Sequence, residues 1–320
     1  MDMRFAWKIL IWCVCVLIIL YLFVSYSIPK KQKLSYGVTF SQKFSAELVG
    51  DKWKQNYLAV LDDLKIKDLR LIAYWNIIEP EKGKFDFSDL DWQFAEAQKR
   101  GAKIILVVGR KTPRWPECHD PAWAKMSDVS YDDSLLGYVR ETVNHYKNSP
   151  SLEAWQVENE PLFPFGECGT TPISLLNQEI KLVKSLSDKP VILTDSGELG
   201  FAWPYLAAKS DIFGTTLYRY INNRFLGDIR YSLIPAYYFR VKAWWAEKVF
   251  GKQILISELQ AEPWNNGAIN PEIFKEIIDY AERSGFPKAY LWGAEWWYFM
   301  KEKQGKPEMW EAVKDLINKK

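Results

Sequence analysis

From Tyr36 onward, short runs of consecutive apolar residues alternate with longer stretches in which apolar positions recur every three or four residues. The short runs are Tyr36–Phe40, Leu69–Trp75, Lys103–Gly109, Glu153–Asn159, Val191–Asp195, Ile212–Tyr218, Ile254–Glu258 and Ala289–Gly293. Each is a near-continuous apolar run, the pattern of a strand covered on both faces. Between the first two, Trp53, Tyr57, Leu58, Leu61 and Leu64 fall at helical spacing, and a further helix is predicted from Ser88 to a stop at Gly101. Strict strand–helix alternation implies parallel pairing. Eight such units predict one closed (β/α)8 barrel, a TIM barrel, over residues 36–320, rather than an open doubly wound sheet.

The segment before the barrel has a different pattern. No charge occurs from Ile9 to Pro29, and a helix of about 20 residues rising 1.5 Å each would cross a hydrocarbon core of ~30 Å. The expectation is an N-terminal transmembrane signal anchor over residues 1–29 and a linker over 30–35; a cleaved signal peptide is the alternative. Charge does not orient it, because Arg4 and Lys8 precede the apolar run while Lys30, Lys31 and Lys33 follow it. Cys13 and Cys15, inside that run, read as small buried residues.

Composition narrows the chemistry. With 48% apolar and 26% charged residues the chain can bury a core, and a net charge of +2 is too small to hold a polyanion, so nucleic acid is not an expected partner. Only His119 and His145 are present, which removes the imidazole ligands of zinc hydrolases and leaves little for a Ser-His-Asp triad. Neither metal nor cofactor is expected. Sixteen tryptophans point toward sugar rings, which stack on flat apolar faces.

Active sites of such barrels lie where strands end and βα loops begin. The fourth strand ends in Gln156-Val157-Glu158-Asn159-Glu160-Pro161 and the seventh in Ile256-Ser257-Glu258-Leu259-Gln260-Ala261-Glu262. Two carboxylates facing each other across the mouth could flank one glycosidic bond. These motifs resemble the clan A glycoside hydrolases, whose barrels carry an acid/base Glu in Asn-Glu-Pro after strand four and a nucleophilic Glu after strand seven. The segment LRLIAYWNIIEPEKGKFDFSDLD and Trp292 on strand eight extend the resemblance over residues 36–318. It implies Glu160 as acid/base, Glu258 as nucleophile and Asn159 as a donor to the sugar 2-hydroxyl. Arg70 and Tyr218 match positions that would keep Glu258 ionised.

Strand alternation alone does not separate Glu158 from Glu160; the Asn-Glu-Pro match favours Glu160. Glu262 is either a solvated charge or a substrate contact, Glu295 is open in the same way, and Glu79 reads as structural. Trp292 is the expected stacking platform, with Trp75, Trp115, Trp264 and Trp296 as rim contacts, while Trp53, Trp244 and Trp245 read as helix packing against the barrel. The chain departs from the clan at the third and sixth strand ends, where Val108-Gly109-Arg110 and Thr215-Thr216-Leu217-Tyr218 stand in place of histidines. Arg110 and Lys111 read as solvated loop charges, or as contacts to an acidic sugar. Cys118 and Cys168, on neighbouring loops, are a candidate disulfide, which would suit an extracytoplasmic compartment. The expected function is a membrane-anchored retaining β-glycosidase whose partner is a polysaccharide or glycan substrate at the cell surface. The alternatives are a transglycosylase of the same fold and a non-catalytic, membrane-tethered glycan-binding barrel.

Overall fold

The computed structural model describes residues 3–27, 32–223, 227–265 and 267–319. Ten strands follow in chain order: β1 (Ser35–Phe40), β2 (Asp68–Ile72), β3 (Lys103–Val108), β4 (Leu152–Val157), β5 (Val191–Asp195), β6 (Ile212–Leu217), β7 (Tyr220–Asn223), β8 (Gly227–Arg230), β9 (Gln253–Gln260) and β10 (Lys288–Trp292). Eight of them close into a parallel barrel in the order β1-β2-β3-β4-β5-β6-β9-β10. β7 and β8 form an antiparallel hairpin inside the sixth βα connection, so β9 and β10 are the seventh and eighth barrel strands. All eight expected strands are present. The hairpin is an addition to the sequence-based expectation, and the second strand stops at Ile72 because Trp75 already opens a short helix, Trp75–Ile78.

The crossover helices form where apolar stripes and caps coincide. The helix Trp53–Asp62 buries Trp53, Asn56, Tyr57, Val60 and Leu61, one face at a spacing of three and four residues. Pro271–Ala281 begins after Asn270, whose side chain accepts from the Ile273 N–H, with proline at the first turn where no N–H is needed. Inside the barrel, Ile105, Ala154, Ile192, Leu255 and Tyr290 pack as an apolar floor. Above it the inward positions become polar. Thr39, Gln156 and the Ser257 carbonyl all accept from the buried guanidinium of Arg70, so the barrel interior carries charge directly beneath its mouth.

The segment before the barrel differs from the expectation. A helix, Met3–Ser27, is present and rests on the helix Ala236–Lys248, with the rings of Tyr21 and Tyr237 4.7 Å apart. Among the described residues, however, no helix is long and apolar enough to cross a membrane. The transmembrane helix, the signal anchor and the membrane as partner are therefore withdrawn. Of the expected linker, Lys30 and Lys31 lie outside the described residues and Ser35 already belongs to β1. Trp244 and Trp245 line a groove with Val14, Leu17, Ile18 and Tyr21 of this helix, whereas Trp53 packs edge-on against Trp92.

Candidate active site

After Val157 the chain leaves β4 with Glu158 at φ 59° and Glu160 at φ 45°, a left-handed region that L-residues enter rarely. This breaks strand alternation, so two glutamates of equal parity come to do different things. Glu158 is fully buried, and its carboxylate accepts from the backbone N–H groups of Arg110 (3.0 Å) and Lys111 (2.7 Å), pinning the third βα loop. Gly109 makes room for it: a Cβ there would sit 2.6 Å from a Glu158 carboxylate oxygen. Glu160 lies on the other side. Its N–H donates to Thr194 Oγ1 at 2.9 Å, and its Oε1 accepts from the Thr216 hydroxyl, at 3.0 Å.

Glu258 reaches the mouth through a β-bulge. Relative to both β6 and β10, β9 carries one extra residue: Thr215 and Thr216 pair with Ile256 and Glu258, and Ala289 and Leu291 pair with Ile256 and Leu259. Leu255 faces the barrel floor, while Ile256 and Leu259 face the helices. Without the extra residue, simple alternation would turn Glu258 outward with Ile256. Instead its Oε1 lies 3.1 Å from Arg70 Nη1, and its Oε2 accepts from the Tyr218 hydroxyl at 2.9 Å. Arg70 Nη2 also donates to Asn159 Oδ1 at 2.8 Å, which leaves the buried Asn159 Nδ2 without a hydrogen-bond partner. One guanidinium thus joins two of the residues implied by the resemblance, Glu258 and Asn159.

The two carboxyls differ electrostatically. Burial, reinforced by the charge of Glu258 and opposed by the Thr216 hydroxyl, pushes Glu160 up to about 8. Glu258 is held by a cation and a phenol. A buried carboxyl that keeps its proton beside one bound by a cation is the pattern of an acid beside a nucleophile or base.

Two residues of the third βα loop were not anticipated from sequence. Glu117, at φ 68°, is buried next to Cys118; burial and the charges of Glu160 and Glu258 push its carboxyl well above the usual range, and its Oε2 has no hydrogen-bond partner. Arg114, at φ 83°, is ion-paired with Glu262 and Glu295, and its guanidinium lies 4.1 Å from the ring centre of Trp292. Non-glycine residues at positive φ were the only local mark of either, and that mark is invisible in a sequence. Glu262 and Glu295 are therefore bound into an ionic cluster and not solvated.

The expected aromatic contacts separate into two groups. Trp75 is away from the mouth, fully buried, stacked on Tyr138 and donating to Glu79, which also accepts from the Gly83 N–H. Trp296 packs half-buried against the core. Trp292 stands at the mouth but is only 8% exposed under Arg114. Trp115, 63% exposed, and Trp264 approach each other through Phe165, with ring centres 6.1 and 5.5 Å from it. Arg110 and Lys111 are buried, not solvated. Arg110 donates to the carbonyls of Cys168 and Thr170, and Lys111 to those of Glu160 (3.0 Å) and Phe163 (2.5 Å), so both brace the fourth βα loop. Cys118 and Cys168 are joined as a disulfide between the same two loops.

Known proteins are similar to this chain in the same terms. A family model for glycosyl hydrolase family 42, described as β-galactosidase, matches residues 47–123. A β-galactosidase of Xanthomonas manihotis is 27% identical over 153 residues, covering 42% of this chain and 25% of that protein. Mannan endo-1,4-beta-mannosidase 1 of Solanum lycopersicum is 24% identical over 217 residues, covering 56% of this chain and 53% of that protein. The chain thus spans only part of these relatives. Among solved structures, the exo-beta-1,4-mannosidase Op5Man5 from Opitutaceae bacterium strain TAV5 superposes with a TM-score of 0.62 at 14% identity, over 89% of this chain and 59% of that one, a likeness of fold. In sequence the chain is thus similar, over part of its length, to β-galactosidases and mannanases, and in fold to a glycoside hydrolase barrel.

Proposed function

We propose that this protein is a retaining β-glycosidase that cleaves a β-linked glycan by double displacement. The observation that carries the reading is the unequal support of the two carboxyls. Glu258 sits between Arg70 and Tyr218, while Glu160, buried after β4, accepts from one neutral hydroxyl. In the first step Glu258 attacks the anomeric carbon as Glu160 gives its proton to the leaving oxygen, forming a glycosyl ester on Glu258. Loss of the Glu258 charge removes the repulsion that helped keep Glu160 protonated. Glu160, now a carboxylate, then takes a proton from the water that attacks the anomeric carbon and frees Glu258. The partnerless Asn159 Nδ2 is placed to donate to the sugar 2-hydroxyl, an interaction that strengthens as charge develops on the ring.

β-Galactosidase and β-mannanase relatives favour a hexose of galactose or mannose type in the site. A bridge between Cys118 and Cys168 fits an oxidising compartment, so we place the working enzyme outside the cytoplasm. The test is hydrolysis of 4-nitrophenyl β-galactoside and β-mannoside by the wild type, Glu160→Gln and Glu258→Gln. Both variants should lose activity, and azide should rescue Glu160→Gln with a β-glycosyl azide as product. Full activity in either variant would falsify the assignment.

A further inference from the structure

The loops around the two carboxyls meet across the barrel mouth. In the closed strand order, β3 and β9 lie opposite each other, four positions apart. Arg114, on the loop after β3, pairs with Glu262 on the loop after β9 and with Glu295 in the helix that follows β10. Its guanidinium also lies 4.2 Å from the ring centre of Phe44 and 4.1 Å from that of Trp292, so it fills the space between the first and eighth strand ends. A second crossing is aromatic. Trp115, Phe165 and Trp264 come from the third, fourth and seventh loops, and Trp264 continues to Tyr218, 5.3 Å away, the residue that donates to Glu258.

Both crossings are braced from behind. The Cys118–Cys168 bridge ties the third loop to the fourth, and the buried cations Arg110 and Lys111 hold four backbone carbonyls of the fourth loop. The consequence is visible at the carboxyls, where Glu160 is 6% exposed, Glu258 4% and Asn159 1%. A glycan cut at an internal bond needs a groove open at both ends, because sugars continue on each side of the bond. Here one crossing spans the mouth from the third loop to the seventh and the other closes the side bounded by Trp292.

We propose that the site is a blind pocket for the non-reducing end of a β-linked oligosaccharide, one sugar ring deep, so that the enzyme releases monosaccharides and does not cut internal bonds. A terminal ring carries one more free hydroxyl than an internal ring, and that hydroxyl needs a partner in the pocket wall. Among the described residues, Arg114 Nε and Glu262 Oε2 are buried without hydrogen-bond partners, a donor and an acceptor on the ion pair that crosses the mouth.

The inference rests on the glycosidase reading, and one experiment separates the two. The full chain is incubated with 4-nitrophenyl β-galactoside and β-mannoside, with borohydride-reduced β-1,4-linked pentaoses of galactose and mannose, and with dye-crosslinked galactan and galactomannan. The expected result is nitrophenol release, with monosaccharide and the reduced tetraose as the first products of one pentaose, and dye release at least a hundredfold slower than nitrophenol release. Reduced di- and trisaccharides among the first products, or dye release at a comparable rate, would overturn the pocket while leaving the glycosidase intact. Failure to cleave any substrate would overturn both.

Discussion

Replacing Glu160 with Gln should stabilise the fold at neutral pH while abolishing catalysis, and the size of the effect follows from the site. In the unfolded chain this carboxyl titrates near its ordinary value of 4.5, whereas in the folded state burial and Glu258 hold its proton to about 8. A carboxyl whose folded pKa is raised favours the native state fully below pH 4.5. That contribution declines as pH rises, because the unfolded chain ionises first, and it is gone by the time the folded group titrates near 8. At 1.36 kcal/mol per pH unit, the cost of folding with Glu160 protonated at pH 7 is about 3 kcal/mol, an order-of-magnitude figure. Gln has the same shape, keeps an oxygen to accept from Thr216, and never ionises. The variant should therefore melt higher than the wild type at pH 7 by roughly 5 °C for a barrel of this size, with the gap closing toward pH 4. Differential scanning calorimetry of both proteins from pH 4 to pH 8 measures it. A gap independent of pH, or a variant less stable at pH 7 than at pH 4 relative to wild type, would refute the burial argument.

Other consequences are open to direct measurement. The basic limb of the kcat/KM profile should fall near pH 8, where Glu160 loses its proton, and Thr216→Val should move it upward by about half to one unit, since loss of a hydrogen bond to the carboxylate costs ~1 kcal/mol; a downward move would assign the limb to another group. Arg70→Lys, which cannot reproduce the fork to Gln156, Glu258 and Asn159, should lower kcat by about a hundredfold or more, and near-normal turnover would exclude Arg70 as the support of Glu258. Glu117→Gln should keep activity within a few-fold, because burial already disfavours the charged form of the acid it replaces; a loss of a hundredfold would mean that Glu117 acts as an anion. Reducing the Cys118–Cys168 bridge, which closes a loop of 50 residues, should cost ~4 kcal/mol by the chain-entropy model, read as a lower melting temperature with dithiothreitol, and four free thiols titrated in the unreduced protein, in place of the two of Cys13 and Cys15, would reject the bridge outright.

The barrel was legible because each of its eight strands is a continuous apolar run, a signal that depends only on burial. The hairpin β7–β8 carries no such run; Tyr220–Asn223 and Gly227–Arg230 are short segments of mixed polarity that lie on a connection. The N-terminal segment was misread because an apolar run alone was taken for a span, whereas no helix among the described residues is long and apolar enough to cross a membrane. At the site, the positions of Glu160 and Glu258 were readable from their motifs, but how each reaches the mouth was not. Glu258 depends on a bulge that shifts register by one residue, and Glu158 and Glu160 depend on left-handed backbone that no periodicity encodes. Arg114 and Glu117 lie in an irregular loop whose shape is set by distant partners, Glu262 and Glu295 among them, and long-range pairings of that kind leave no local pattern.

The central claim is that Glu258 becomes glycosylated while Glu160 handles the proton. Incubation of the full chain with 2-deoxy-2-fluoro-β-galactosyl fluoride and the corresponding mannosyl fluoride, followed by proteolysis and mass spectrometry, tests it most directly. The account predicts a fluoroglycosyl adduct on the peptide containing Ile254–Glu258, localised to Glu258 and absent from Glu258→Gln. An adduct on Glu117 or Glu160, or turnover with inversion at the anomeric carbon and no adduct anywhere, would contradict it.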